Sequence, residues 1–229
     1  MAGISLGSTT LQKVALGSTE VKKISLGDVL VWSAVVPTYG SIGAGVAWFS
    51  TANFNFTAPS GYDLIAFVAT DRTTTVTLNI GGTAMTELAS VANNNVSTYG
   101  AVHAYRRVGG GTGSAQTVAV STTNGSWAHV NVVAVSGVSS VSTVSAYGNS
   151  TSLSHSVTVS SGQLAIQAFG TGNAGSETSV LSSPTGGTNR YLLNVLGADL
   201  SISTATSTAT FGASLGSANP WSSLALVLS

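Results

Sequence analysis

Aliphatic residues near the amino terminus recur at intervals of ten positions. Leu6, Leu16 and Leu26 each precede a glycine, and an aliphatic residue lies two positions before and five positions after each of them. Glycine at a fixed place in so short a repeat predicts short strands separated by tight turns. We expect three short strands in residues 1–37, either as a meander within one chain or interleaved with the same segments of sister chains. Because so small a segment buries little apolar surface alone, we expect it to dock on another surface.

From residue 38 onward the pattern changes to runs rich in Val, Thr and Ala, separated by turns rich in Gly, Asn, Ser and Pro. Short β runs at a spacing of about 8–12 residues are typical of a sandwich or barrel, and we find no helical periodicity. The predicted strands cover 52–57, 63–70, 74–80, 84–91, 99–108, 115–122, 126–138, 155–160, 163–170, 189–196, 203–211 and 221–228. The low-complexity stretch 136–152 is expected to form an exposed strand pair joined by flexible turns. The predicted fold is all-β: a jelly-roll-like two-sheet sandwich over 38–229, preceded by the small module of three ten-residue β repeats in 1–37.

Charged residues make up only 6% of the chain, and 43% of its residues are hydrophobic. An ordinary soluble domain carries about 25% charged residues, so hydroxyls and amides must cover much of this surface. Such a surface suits exposed or multimeric β-proteins better than a typical cytosolic enzyme, and the apolar content argues against disorder. The net charge is zero, and the three lysines all lie in the repeat segment, at Lys13, Lys22 and Lys23. Without a basic patch in the larger domain we expect no nucleic-acid partner.

Several sequence signals of particular cellular locations and chemistries are missing. No run approaches the ~18 apolar residues of a membrane span, and the first residues lack the charged and apolar regions of a secretory signal. We therefore expect neither membrane insertion nor secretion by a signal peptide. The chain contains no cysteine, which excludes disulfides, thiolate metal sites and cysteine nucleophiles.

Catalytic and metal-binding patterns are equally weak. The histidines are His103, His129 and His155; the first two lie in predicted strands and could be cross-strand neighbours, but no metal-binding spacing such as HxH or HExxH occurs. No pair of carboxylates is marked by a motif, no nucleophile elbow is present, and the glycine-rich stretch 109–113 lacks the lysine of a phosphate-binding loop. We expect structural or surface histidines, no catalytic, cofactor or metal site, and no enzyme activity.

Aromatic residues offer another kind of contact. Trp48, Trp127 and Tyr147 are candidates for stacking on glycan rings, although tryptophan and tyrosine are also the large core residues available to a domain built from Ala, Val and Ser.

Arg106 and Arg107 are adjacent in a predicted strand and so lie on opposite faces. At most one of them faces outward, and the other needs a partner on the buried side.

The repeat segment resembles a known family of virion proteins. Residues 16–32, Leu-Gly-Ser-Thr-Glu-Val-Lys-Lys-Ile-Ser-Leu-Gly-Asp-Val-Leu-Val-Trp, are similar to amino-terminal repeats in minor tail and other virion proteins of tailed phages that infect actinobacteria. The larger domain is similar to β-sandwiches of phage structural proteins through the phrases at 61–68, 82–88, 102–108 and 221–228. The resemblance implies a symmetric homo-oligomer, with a trimer favoured, in which the amino-terminal segment docks on the particle. It carries no catalytic motif.

These observations predict a non-enzymatic component of a tailed-phage virion. The favoured assignment is a minor tail or fibre protein that contacts other virion proteins through residues 1–37 and presents an outward-facing adhesion domain, with host cell-wall glycans as a candidate ligand. The expected docking residues are Leu6, Leu16, Leu26, Val31 and Trp32. A capsid decoration or head-fibre protein is the first alternative, and a carbohydrate-binding module is the second.

Overall fold

A computed structural model describes residues 5–6, 9–10, 14–16, 19–26, 28–176, 178–194 and 197–229. The chain divides into two units, Met1–Val36 and Pro37–Ser229. The regular secondary structure of the described residues is β-strand, apart from two short 3-10 helices at Asn93–Asn95 and Ser97–Tyr99. The all-β prediction is therefore confirmed.

The described residues of the amino-terminal unit form three two-stranded antiparallel hairpins. Its strands are β1 Ser5–Leu6, β2 Thr9–Thr10, β3 Val14–Leu16, β4 Thr19–Val21, β5 Lys23–Leu26 and β6 Val29–Ser33. They pair as β1 with β2, β3 with β4 and β5 with β6. The expectation of three strands is wrong, because the described residues of this unit form six short strands.

In residues 37–176, 178–194 and 197–229 the second unit contains sixteen strands. They are β7 Thr38–Ile42, β8 Val46–Phe49, β9 Thr51–Thr57, β10 Asp63–Thr70, β11 Val76–Ile80, β12 Thr83–Ala84, β13 Thr86–Ala92, β14 Ala101–Arg107, β15 Ala115–Thr122, β16 Trp127–Ser136, β17 Val141–Val157, β18 Leu164–Thr171, β19 Leu181–Thr185, β20 Thr188–Leu193, β21 Leu200–Ala205 and β22 Ala209–Leu228. Among the described residues no helix has the length and apolar character that crossing a bilayer requires.

These strands form three sheets rather than the two predicted. The middle sheet has the order β13-β14-β10-β16-β7, with β8 also paired to β16. The outer sheet has the order β12-β11-β15-β9, and the long-strand sheet has the order β17-β22-β18-β21-β20, with β19 also paired to β22. The jelly-roll wiring stays a prediction.

The middle sheet packs on both of its neighbours, so its central strand has no polar face. All eight residues of β10 are buried. Leu64 packs with Val118 in the core against the outer sheet, whereas Phe67 packs with Leu224 in the core against the long-strand sheet. A strand buried on both faces appears in sequence as a continuous apolar run, which carries no signal for the number of sheets.

Residues from different parts of the long-strand sheet pack together in a third core. β17 and β22 pair along almost their entire lengths, with a register shift between Ser150 and Ser152. Phe211, from one end of β22, packs in the same core as Trp221 and Phe169 from the other end of the sheet. The segment 136–152, expected to be an exposed strand pair, therefore belongs mostly to one continuous strand. The predicted strand 203–211 is also wrong, because residues 206–208 separate β21 from β22.

A buried asparagine links the middle and long-strand sheets. Asn93 donates from Nδ2 to the Tyr99 carbonyl oxygen at 2.7 Å, and its Oδ1 accepts from Ser222 Oγ at 2.6 Å. Asn93 and Ser222 are both almost fully buried. Substitution of one partner would therefore leave the other without a hydrogen bond and out of reach of water.

We expect Asn93→Ala to lower the free energy of unfolding by about 2–3 kcal/mol, since it leaves a buried hydroxyl and a buried carbonyl unpaired. Urea titration of the full chain measures the effect. The matched control is Asn149→Ala on an exposed position of β17, which is expected to change stability by less than about 0.5 kcal/mol. Equal effects of the two substitutions would contradict a linking role for Asn93.

Candidate functional site

The hairpins of the amino-terminal unit present leucines beside their turns. Leu16 ends β3 opposite Thr19, and Leu26 ends β5 opposite Val29. Leu16 is 80% exposed and Leu26 is 79% exposed. The other predicted docking residues are Leu6, Val31 and Trp32, and their side chains are not among those that the structure describes.

The backbone of these hairpins also offers bonding groups to a partner. Each hairpin is a two-stranded sheet in the part of the chain described here, so each strand has an edge with no strand beside it. Isolated two-stranded hairpins are marginally stable in water, and a bare edge is a template for strand addition. Burying one leucine side chain contributes about 1.5–3 kcal/mol. The unit therefore combines apolar tips with free strand edges, which together favour docking.

The three aromatic candidates for glycan contact have different environments. Trp48 is only 4% exposed and lies in the core between the middle and outer sheets. Its assignment as a glycan contact is therefore wrong, because a buried indole cannot stack on a sugar. Trp127 is 41% exposed and Tyr147 is half exposed, but they lie on different sheets, in β16 and β17.

Trp127 has an aromatic partner that the sequence analysis missed. Phe49, which is 53% exposed, lies directly opposite it in the β8–β16 ladder. The two rings meet edge to face, with centroids 5.5 Å apart and an interplanar angle of 61°. Phe49 follows the buried Trp48, so alternation along a strand places it on the other face. An exposed aromatic pair of this kind suits contact with a sugar ring or a protein side chain.

His103 and His129 are not neighbours. His103 lies opposite Val68 and His129 lies opposite Ala69, so the two histidines face opposite sides of the middle sheet. His103 Nδ1 is 2.8 Å from the Glu87 carboxylate. His129 Nε2 is 2.8 Å from the Tyr191 hydroxyl. In the residues that the structure describes, no three His, Cys, Asp or Glu side chains are grouped as metal ligands.

Two histidines are buried in the protein interior. Burial lowers the pKa of His129 to about 4, an effect that a hydrogen bond with the Ala198 backbone partly opposes. Burial also lowers the pKa of His155 to about 4. His155 Nδ1 is 2.7 Å from Ser223 Oγ, which also accepts from Gln167 Nε2 at 2.7 Å. The serine oxygen is therefore within hydrogen-bonding distance of both the imidazole and the Gln167 amide, and all three side chains are enclosed in the core.

The acidic side chains of the second unit are held in separate structural contacts. Asp63 pairs with Arg106, and the backbone NH of Leu181 donates to Asp199 Oδ2 at 2.8 Å. Ser126 Oγ donates to Asp71 Oδ1 at 2.6 Å. Glu87 pairs with His103, while Glu177 lies outside the described residues. These four contacts involve different strands and loops, so the described carboxylates stabilise the fold at separate places.

Comparison with protein-family models, with curated proteins and with solved structures finds no match to this chain. The resemblance to phage virion proteins therefore stays a prediction from the sequence motifs. The candidate functional surfaces depend on geometry: the leucine tips of the hairpins and the exposed Trp127–Phe49 pair.

Proposed function

We propose that this protein is a non-enzymatic structural component of a tailed-phage virion, most simply a minor tail or fibre protein. Its hairpin unit docks on other virion proteins, and residues 37–229 form an adhesion domain that contacts the host surface. The observation that carries this proposal is the exposure of Leu16 and Leu26 at hairpin tips whose strands have free edges. A module of this kind gains stability when strand addition pairs its edges and a partner covers its leucines.

The composition supports the same proposal. A surface poor in charge and rich in hydroxyls and amides suits a β-protein packed beside copies of itself. The resemblance to phage virion proteins implies a symmetric homo-oligomer, with a trimer favoured. A capsid decoration or head-fibre protein would dock by the same segment. A carbohydrate-binding module is the second alternative, and the exposed Trp127–Phe49 pair favours it.

Particle incorporation of a hairpin variant tests the docking role. The variant is the full chain carrying Leu16→Ser and Leu26→Ser, supplied during infection by a phage whose own copy of the gene is deleted. Loss of two leucines that docking would bury removes about 3–6 kcal/mol of docking free energy. We therefore expect incorporation to fall by about 100-fold or more, measured by quantitative mass spectrometry of density-purified particles.

The matched control is Val108→Ser, which removes an equally exposed aliphatic side chain from the second unit. It is expected to incorporate as the wild type does. Immunogold labelling of the wild-type particles separates tail from head. Absence of the wild-type protein from particles would refute the virion assignment, and undiminished incorporation of the double variant would refute docking through the hairpin tips.

A further inference from the structure

The outward face of the outer sheet carries an ordered grid of small polar side chains. Inward-facing residues of its strands, such as Leu78, Val118 and Phe56, pack in the core, so the alternate residues face away from the protein. The strand register places Asn79, Ala119 and Asn53 in one row across β11, β15 and β9. The next row consists of Thr77, Ser121 and Thr51.

The first row forms a depression. Ala119 lies between two asparagines, so its methyl group makes a floor and the two amides make walls. The two asparagines are two strands apart, which corresponds to about 10 Å between their backbones. The depression has a volume of about 320 Å³ and continues along the Thr77 row. This width and volume suit a single flat ring with its substituents directed towards the two asparagines.

The polar groups of this depression are unused by the fold. Within the described residues, the amide groups of Asn53 and Asn79 make no hydrogen bond. Each amide offers two N–H donors and a carbonyl acceptor. Each hydroxyl of the Thr77 row can both donate and accept a hydrogen bond. One row further along, Asn55 Oδ1 already accepts from Thr117 Oγ1 at 3.3 Å. The row of Asn53 and Asn79 therefore keeps more free bonding capacity than the row of Asn55.

The absence of charge restricts the ligand class. The three strands that line the depression have the sequences TANFNFT, VTLNI and AQTVAVST, without a single charged residue. A phosphate, a sulfate or a uronic acid would be desolvated there without a counter-ion. The depression also lacks the large apolar side chains that anchor a peptide. A neutral molecule with many hydroxyl groups is the ligand that such donors and acceptors satisfy.

We propose that this depression is a binding site for a neutral oligosaccharide, with Asn53 and Asn79 bonding the hydroxyls of a ring that lies over Ala119. The inference deepens the adhesion role proposed above and rests on it. The site is distinct from the Trp127–Phe49 pair. Trp127 shares a face of the middle sheet with His129, and that face is turned away from the outer sheet.

Binding of immobilised polysaccharides by the full chain tests the proposal. The probes are neutral mannan, galactan, xylan and glucan, with polygalacturonate and dextran sulfate as charged comparators. Two variants alter the depression in opposite ways: Asn53→Ala with Asn79→Ala removes the amides, and Ala119→Tyr fills the floor. The matched controls on the same face are Asn55→Ala and Ala115→Tyr.

We expect the wild type to bind at least one neutral polysaccharide and neither charged one. Both depression variants should weaken that binding by about tenfold or more, whereas both controls should change it by less than about twofold. Lack of binding to every neutral probe, or unchanged binding by both depression variants, overturns the proposal. Loss of binding in Trp127→Ala alone would instead assign sugar contact to the aromatic pair. Particle incorporation is measured separately, so failure of the glycan site and failure of the virion role are distinguishable.

Discussion

Acidification from about pH 7.5 to about pH 4.5 is expected to remove about 5 kcal/mol of stability through two buried histidines. The pKa of His129 and that of His155 are both about 4 in the folded protein, against an ordinary value of 6.5. In the unfolded chain both imidazoles take up a proton as the pH falls through 6.5. In the folded protein they remain neutral until the pH approaches 4.

The direction of the effect follows from this difference in proton binding. Between pH 6.5 and about 4 the unfolded state binds more protons than the folded state, so acid favours unfolding. The stability from neutral burial is fully present above pH 6.5 and is lost progressively below it. Each histidine contributes a slope approaching about 1.4 kcal/mol per pH unit within this window. The hydrogen bonds to the Tyr191 and Ser223 hydroxyls hold the neutral rings in place.

Urea unfolding at half-unit pH intervals measures this slope. The matched variant carries His129→Gln and His155→Gln, which retain polar atoms but do not titrate. That variant is expected to be less stable at pH 7.5, yet nearly flat between pH 6.5 and pH 4.5. A slope in the variant as steep as that of the wild type would show that other groups cause the acid sensitivity.

The strands that sequence analysis located best are those bounded by strong turn residues. The predicted ranges 63–70 and 115–122 match β10 and β15, which follow turns that contain Gly and Ser. Six consecutive residues of β10 are apolar, and burial alternates along β15. The long strands β17 and β22 were predicted only in part, by the ranges 155–160 and 221–228, because the rest of their Ser-, Thr- and Gly-rich sequences resembles loops. Their strand character comes from pairing with each other over long distances, which local propensity does not contain.

The strand number of the hairpins and the exposure of the aromatic residues also could not be predicted from local sequence. The repeat period was evident, but ten residues fit one strand with its loop as well as two very short strands. Trp48 and Trp127 look alike in sequence, yet Trp48 lies opposite Ala128 and so shares its core-facing side, whereas Trp127 lies opposite the exposed Phe49. The Asn53–Ala119–Asn79 row likewise depends on the register of three strands that are distant in sequence. Register is decided by tertiary packing, so neither surface could be assembled from one-dimensional pattern alone.

The buried pair of Arg106 and Asp63 should be among the most sensitive sites in the second unit. Arg106 donates from Nε to Asp63 Oδ2 at 2.9 Å and from a terminal nitrogen to the Val138 carbonyl oxygen at 3.3 Å. The Gly109 backbone NH donates to the other oxygen of Asp63 at 2.7 Å. Both side chains of the pair are largely buried. As the sequence predicted, Arg107 lies on the opposite face, where it donates to the Ile80 carbonyl oxygen.

Arg106→Met is expected to lower the free energy of unfolding by about 3–5 kcal/mol, because it leaves a buried carboxylate without its counter-ion. Arg107→Met is the matched control and should cost about 1 kcal/mol, since it removes a hydrogen bond to a neutral carbonyl. Adding Asp63→Asn to Arg106→Met removes the unpaired negative charge, and the amide oxygen at position 63 can still accept a hydrogen bond from the Gly109 NH. The double variant should therefore be more stable than Arg106→Met alone at pH 7. Urea titration of the four proteins measures these differences, and equal costs for Arg106→Met and Arg107→Met would show that the ion pair does not stabilise the folded chain.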